Sequence, residues 1–138
     1  EEALAIRRKK RPRNHADLAS SLNSMGEIAL DQNLPAEAEP FLRECLTIRQ
    51  ETNPVSSSAV VDTMGTLAGC LVKLKKFAEA EKMLLEGLAQ AESPTDSNEA
   101  GRQSLRGHLE ALYLAWGKPD KAREFHVATS TTGAASPR

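Results

Sequence analysis

The sequence predicts an all-α fold, an α-solenoid built from antiparallel helix pairs. Three observations predict it. Apolar residues recur three and four positions apart, the period of a helix with one buried stripe. Ala36-Glu37-Ala38-Glu39 returns as Ala78-Glu79-Ala80-Glu81, an offset of 42 residues, and the same offset carries Ala80 to Ala122. Aromatic residues make up only 4% of the chain, so its core is built from small and medium side chains at close helix contacts. A single helix pair cannot hide its apolar faces, and tandem pairs therefore stack into one continuous core.

Further positions keep the offset of 42: Leu4-Ala5-Ile6-Arg7 maps onto Leu46-Thr47-Ile48-Arg49, and Pro35 onto Phe77 and Pro119. Phe41 likewise maps onto Met83 and Phe125, and Met25 onto Leu67 and Leu109. The repeat divides the chain. Residues 1–13 read as the end of a preceding repeat, 14–55 as repeat 1 and 56–97 as repeat 2. Residues 98–128 read as a degenerate, terminal repeat 3, and 129–138, with no stripe to bury, as a disordered tail.

Helices are predicted over 1–10, 15–32, 35–51, 57–74, 77–92, 98–116 and 119–128. In the first repeat Leu18, Leu22, Met25 and Ala29 form one stripe. Ala38, Phe41, Leu42, Cys45 and Leu46 form another, after the break at Asn33-Leu34-Pro35. Pro35 and Pro119 suit a first helical position, where a missing N–H costs nothing. Gly117-Lys118-Pro119 reads as a turn between helices. Asn53-Pro54 ends one helix, and Ser56-Ser57-Ser58 offers caps for the next. Asp96-Ser97-Asn98-Glu99 has capping-box spacing before another start. Ala38, Ala80 and Ala122 are expected where two helices come close, with Gly26, Ala68 and Gly107 in a similar role on the first helix of each pair. Glu1 to Ile6 is already a helical pattern with no initiator Met and no signal-peptide core. The sequence is therefore expected to be cut from a longer chain, with the array's natural end on the C-terminal side.

The formal net charge is -1, from 18 Lys and Arg against 19 Asp and Glu, which sets aside strongly basic and strongly acidic binders. No apolar run of about 18 residues is present to span a membrane. Two cysteines, Cys45 and Cys70, make no secreted-type disulfide framework. They read as small buried hydrophobes in a reduced, cytoplasmic setting. His15, His108 and His126 lie apart in the repeat register, with no Cys or paired carboxylate at ligand spacing. No phosphate-binding glycine loop, nucleophile elbow or H-E-x-x-H is present. The expectation is no enzyme: no catalytic residues, no metal ligands and no cofactor. Arg7-Arg8-Lys9-Lys10-Arg11, with Arg13, suits a helix C-terminus. No aromatic is interleaved, so nucleic acid is not expected as a partner. Tyr113 and Trp116 share a helix face and are expected to pack against the last helix.

Met25-Gly26, Ala38, Leu42 and Cys45, then Leu67-Ala68, Ala80, Leu84 and Gly87, resemble the skeleton of tetratricopeptide repeats. The run Pro35-Ala36-Glu37-Ala38-Glu39-Pro40-Phe41-Leu42-Arg43-Glu44-Cys45-Leu46-Thr47-Ile48-Arg49 is similar to the long kinesin-light-chain-like variety found in many bacterial proteins. The resemblance covers Glu1 to about Ala128. Repeat 3 departs from it: Glu110 replaces a small residue, Arg106 an apolar one and His126 a Leu. The resemblance implies a right-handed superhelix that serves as a non-catalytic protein-protein interaction scaffold. It would bind a peptide or partner segment in a concave groove lined by the first helices. On those helices the faces beside the core stripe carry Asn23, Glu27, Leu30 and Asp31, then Gly65, Gly69, Val72 and Lys73, then Gly107, Ala111, Leu114 and Ala115. The resemblance marks Asn23 as a ligand for a bound backbone. Gly65 and Gly69 either admit a partner's backbone or serve tight helix stacking. An alternative is a regulatory repeat region of a larger enzyme such as a bacterial Ser/Thr protein kinase. Self-association through exposed solenoid ends is a further expectation.

Overall fold

The computed structural model describes residues 15–92 and 98–126. They form six helices: α1 (His15–Asp31), α2 (Pro35–Thr52), α3 (Ser58–Lys73), α4 (Phe77–Ala91), α5 (Glu99–Trp116) and α6 (Pro119–Glu124). Each packs on the next in the chain, and the first helices of neighbouring repeats, α3 and α5, also meet. The helix expected over 1–10, the residues Asp96 and Ser97, and the tail over 129–138 lie outside the described residues.

Three turns of one design make the hairpins. Asn33, Lys75 and Gly117 take left-handed backbone at φ 64°, 63° and 82°. The residue after each sends its N–H back five positions: Leu34 to Ala29 (2.8 Å), Lys76 to Leu71 (2.8 Å) and Lys118 to Tyr113 (2.7 Å). This is the Schellman arrangement, which satisfies carbonyls left open where a helix stops. Pro35 and Pro119 then start the second helices, as expected, and Phe77 takes the same place in α4. Pro40 inside α2 does not end it. Ser57 caps α3 by accepting from the Val60 N–H.

The alanines fall in equivalent places. Ala38, Ala80 and Ala122 are each the fourth residue of a second helix, and each is essentially fully buried. Their N–H groups bond the residue before the helix, at 3.1 Å to Leu34, 3.2 Å to Lys76 and 3.1 Å to Lys118. One core cluster runs from Ala29 in α1 to Ala122 in α6, and Leu18, Ala19, Leu22, Cys45 and Ile48 form a second between α1 and α2. Gly26 lets α1 approach α2: a Cβ there would lie 2.7 Å from Leu42.

Two expectations are corrected at element ends. The cap of α5 is Asn98 rather than Asp96: its Oδ1 accepts from the Gly101 N–H at 3.0 Å. The same amide donates from Nδ2 to the Ser56 carbonyl at 2.9 Å, tying α5 to the start of α3. A Cβ at Gly101 would overlap that carbonyl, which is why a glycine stands there. The last helix stops at Glu124, not 128. Phe125 and His126 close it with short bonds to Ala122 (3.0 Å) and Arg123 (3.3 Å), while the Phe125 ring stacks on Tyr113.

Repeat 3 exchanges apolar contacts for polar ones. In repeat 1 Gly26 faces Leu42; the counterparts Glu110 and His126 meet instead as a pair, Oε2 to Nδ1 at 3.0 Å. Arg106 reaches Glu92 at 3.0 Å, and Arg102 donates to the Ala91 carbonyl at the end of α4 at 3.1 Å. Tyr113 packs at the last helix as expected, its ring stacked on Phe125, but Trp116 does not: it stacks on Phe77 at the start of α4 with centroids 5.3 Å apart, and Lys118 sits 3.7 Å above its ring. At the other end Ile28 is 55% exposed, although its counterparts Cys70 and Leu112 are buried.

Candidate partner-binding groove

Repeats align the first helices α1, α3 and α5, so equal positions in the 42-residue register face the same way. Between α3 and α5 this face opens into a cavity of about 240 Å³. Gly65, Ala68, Gly69 and Val72 wall it from α3; His108, Ala111, Leu112 and Ala115 wall it from α5. The small residues are what create the space, because each withholds the side chain that would otherwise fill the gap between two stacked helices. Among the expected groove residues, Gly65, Gly69, Val72, Ala111 and Ala115 are brought together here.

The two glycines do different work. A Cβ at Gly65 would overlap the His108 ring, so this glycine makes room for a side chain of the protein itself, the stacking alternative. A Cβ at Gly69 would meet nothing within 4 Å, and the backbone there is open to the groove. His108 stands on α5 with no metal-ligand spacing in the sequence. It packs, and its Nε2 is buried without a hydrogen-bond partner. Burial pushes the imidazole pKa below its ordinary value; the bond to the Val61 backbone and the Asp62 carboxylate oppose this without reversing it. The residue class was visible in the sequence, but its meeting with Gly65 was not, because the two lie on different helices.

The remaining positions lie outside the cavity. Asn23 donates from Nδ2 to Glu27 Oε2 at 3.2 Å, one turn along α1, so its amide is engaged within its own helix. Glu27 and Asp31 are exposed near the C-terminal end of α1, and Lys73 is exposed at the end of α3. Leu30 is partly buried against the core, as is Val72. Gly107 is half-buried and does not line the cavity, while Leu114 is 57% exposed beside it on α5.

The opposite face differs. A cleft of about 300 Å³ separates the second helices α2 and α4, floored by Met64 and Leu67, with Arg43, Gln50, Glu86 and Gln90 on its rim. Here Arg43 bonds both Glu39 (2.7 Å) and Glu79 (2.6 Å), while Lys76 bonds Glu39 (2.9 Å), which binds α2 to the start of α4. Burial alone would raise the Glu39 pKa; the Lys76 and Arg43 bonds outweigh it and hold the carboxyl below its ordinary range. The tyrosine of α5 is tied in similarly. Tyr113 donates to Glu81 at 2.7 Å, and burial, with the charge of Glu81 added, pushes its phenol well above its ordinary range.

Regular helix pairs, matched turns and matched alanines are the marks of one unit copied along a chain. Residues 18–56 match the tetratricopeptide repeat family. That match spans α1 from Leu18, all of α2 and the loop to Ser56, and the fold is an all-α helical repeat of tetratricopeptide type. No curated protein matches the chain. Tetratricopeptide repeats generally mediate contacts between proteins. Cys45 and Cys70 are free and buried, and burial raises both thiols above their ordinary pKa. Among the described residues, no helix is long and apolar enough to cross a membrane, and no group of three or more His, Cys, Asp or Glu could hold a metal ion.

Proposed function

We propose that the protein is a binding scaffold whose first-helix face holds a segment of a partner protein. One observation carries this reading: the open apolar cavity between α3 and α5, with the bare backbone of Gly69 at its wall. A peptide laid across successive first helices gains main-chain proximity at the glycine and a socket for one side chain. Among the described residues, no side chain fills that space. The buried, raised thiols suit a reducing compartment such as the cytoplasm.

The test is a pull-down compared across variants. Ala111→Arg fills the cavity mouth from an exposed position, whereas Gln90→Arg alters the cleft on the second-helix face. A partner retained by the wild type and by Gln90→Arg, but lost by Ala111→Arg at unchanged melting temperature, supports the reading. Equal loss with both variants, or loss with Gln90→Arg alone, contradicts it.

A further inference from the structure

The register of the groove also constrains what its occupant looks like. Glu27 of α1, Gly69 of α3 and Ala111 of α5 are one position repeated at the offset of 42. A straight segment crossing the helices therefore meets a carboxylate, then a bare backbone, then the cavity. The carboxylates are poorly placed for α1 itself. Its sequence HADLASSLNSMGEIALD contains no Lys or Arg, and its last turn has no basic residue, whereas α2 and α3 end with Arg49 and Lys73. Glu27 and Asp31 thus stand together at a helix C-terminus, where the macrodipole already disfavours negative charge. Asn23 gives Glu27 a neutral hydrogen bond and leaves the charge in place. No lysine or arginine is paired with either carboxylate among the described ion pairs.

The cavity sets the other requirement. At about 240 Å³ it exceeds the roughly 150 Å³ that accommodates a benzene ring, so one leucine-sized or aromatic side chain fits. Packed helix axes lie about 8–10 Å apart, and α1 meets α3 less closely than α5 does, so the shortest span from α1 to the α3–α5 midline is about 14 Å. An extended chain covers that in about four residues at roughly 3.3 Å each. Lys73, at the register of Asp31 on α3, keeps the favourable place for a cation on α1 rather than on α3. We propose that the groove takes an extended peptide with one bulky apolar side chain in the α3–α5 cavity and, about four residues away, a lysine or arginine over Glu27 and Asp31. This rests on the groove reading above and adds the chemistry of the occupant.

The probes are labelled Ser/Gly peptides that hold a leucine about four residues from a lysine, in either order, and the same peptides with glutamate for lysine. Binding is measured by fluorescence anisotropy to the wild type, to the double variant Glu27→Lys with Asp31→Lys, and to Gly69→Trp. All three positions are exposed and Gly69 has room for a side chain, so the variants retain the fold. The expected result is that glutamate binds roughly tenfold more weakly than lysine, the size of two rim charge contacts. That preference inverts on the double variant, and Gly69→Trp abolishes binding of both peptides. Equal binding of lysine and glutamate peptides, abolished by Gly69→Trp, overturns the charge chemistry and leaves the groove standing. Charge discrimination that survives Gly69→Trp overturns the groove itself. Failure of every peptide to bind overturns the proposal, while the pull-down above judges the groove independently.

Discussion

His108 is half-buried, its Nε2 fully so, against a position that holds no side chain. Gly65 surrenders its Cβ so that the imidazole can lie against α3, and the ring's Nε2 is left without a partner. A neutral ring tolerates this; a protonated one would bury an N–H with nothing to receive it. The folded pKa is therefore held below the ordinary value of 6.5 by burial. The unfolded chain then binds a proton before the folded one does. The contribution of His108 is complete above about pH 6.5 and is lost as pH falls from there through the lower folded value. Melting temperature of the wild type should accordingly fall more steeply below pH 6.5 than that of His108→Phe, which keeps a ring and cannot titrate. Parallel curves would mean that the ring is not buried neutral. At this scale the sequence is read in part. Glu110 and His126 stand out as departures from the repeat, yet their pairing at 3.0 Å depends on two helices coming together. A chain read one residue at a time does not contain that contact.

Helix starts and stops are more legible, because capping chemistry is local. Pro35, Pro119 and Ser57 all act where their types suggest. Asp96 was a plausible cap of α5 by spacing, but Asn98 takes the role since its amide can also bond the Ser56 carbonyl, a tertiary contact. The turns teach the same lesson. Asn33, Lys75 and Gly117 share one register and one left-handed conformation, but only the last is a glycine. Asparagine tolerates that region, whereas lysine meets a Cβ clash worth about 1 kcal/mol. Lys75→Gly should therefore stabilise the fold by about 1 kcal/mol, seen as a higher urea midpoint at unchanged m-value. A drop in the midpoint would show that Lys75 contributes contacts that outweigh its backbone strain.

Across the molecule, stacking dictates the core while the groove is free to vary. Ala38, Ala80 and Ala122 are identical because each lies where a second helix meets its neighbour with no volume to spare. The face beside them changes at each step: Glu27, Gly69, Ala111, and Asp31, Lys73, Ala115. Core positions answer to a repeated internal contact, so an offset of 42 uncovers them and the fold with them. On the proposed function, groove positions answer to an outside molecule, whose chemistry does not repeat. The register groups them on one face of the first helices, but it does not show the cavity. The cavity arises from α3 and α5 meeting through small residues on both sides, with His108 forming part of its wall.

Amide hydrogen exchange with and without the captured partner tests the central claim, that the first helices carry the binding surface. Added protection is expected in α3 and α5 around the cavity and at the C-terminal end of α1, with α2 and α4 unchanged. Protection concentrated in α2 and α4, with α3 and α5 exchanging as in the free protein, would contradict it.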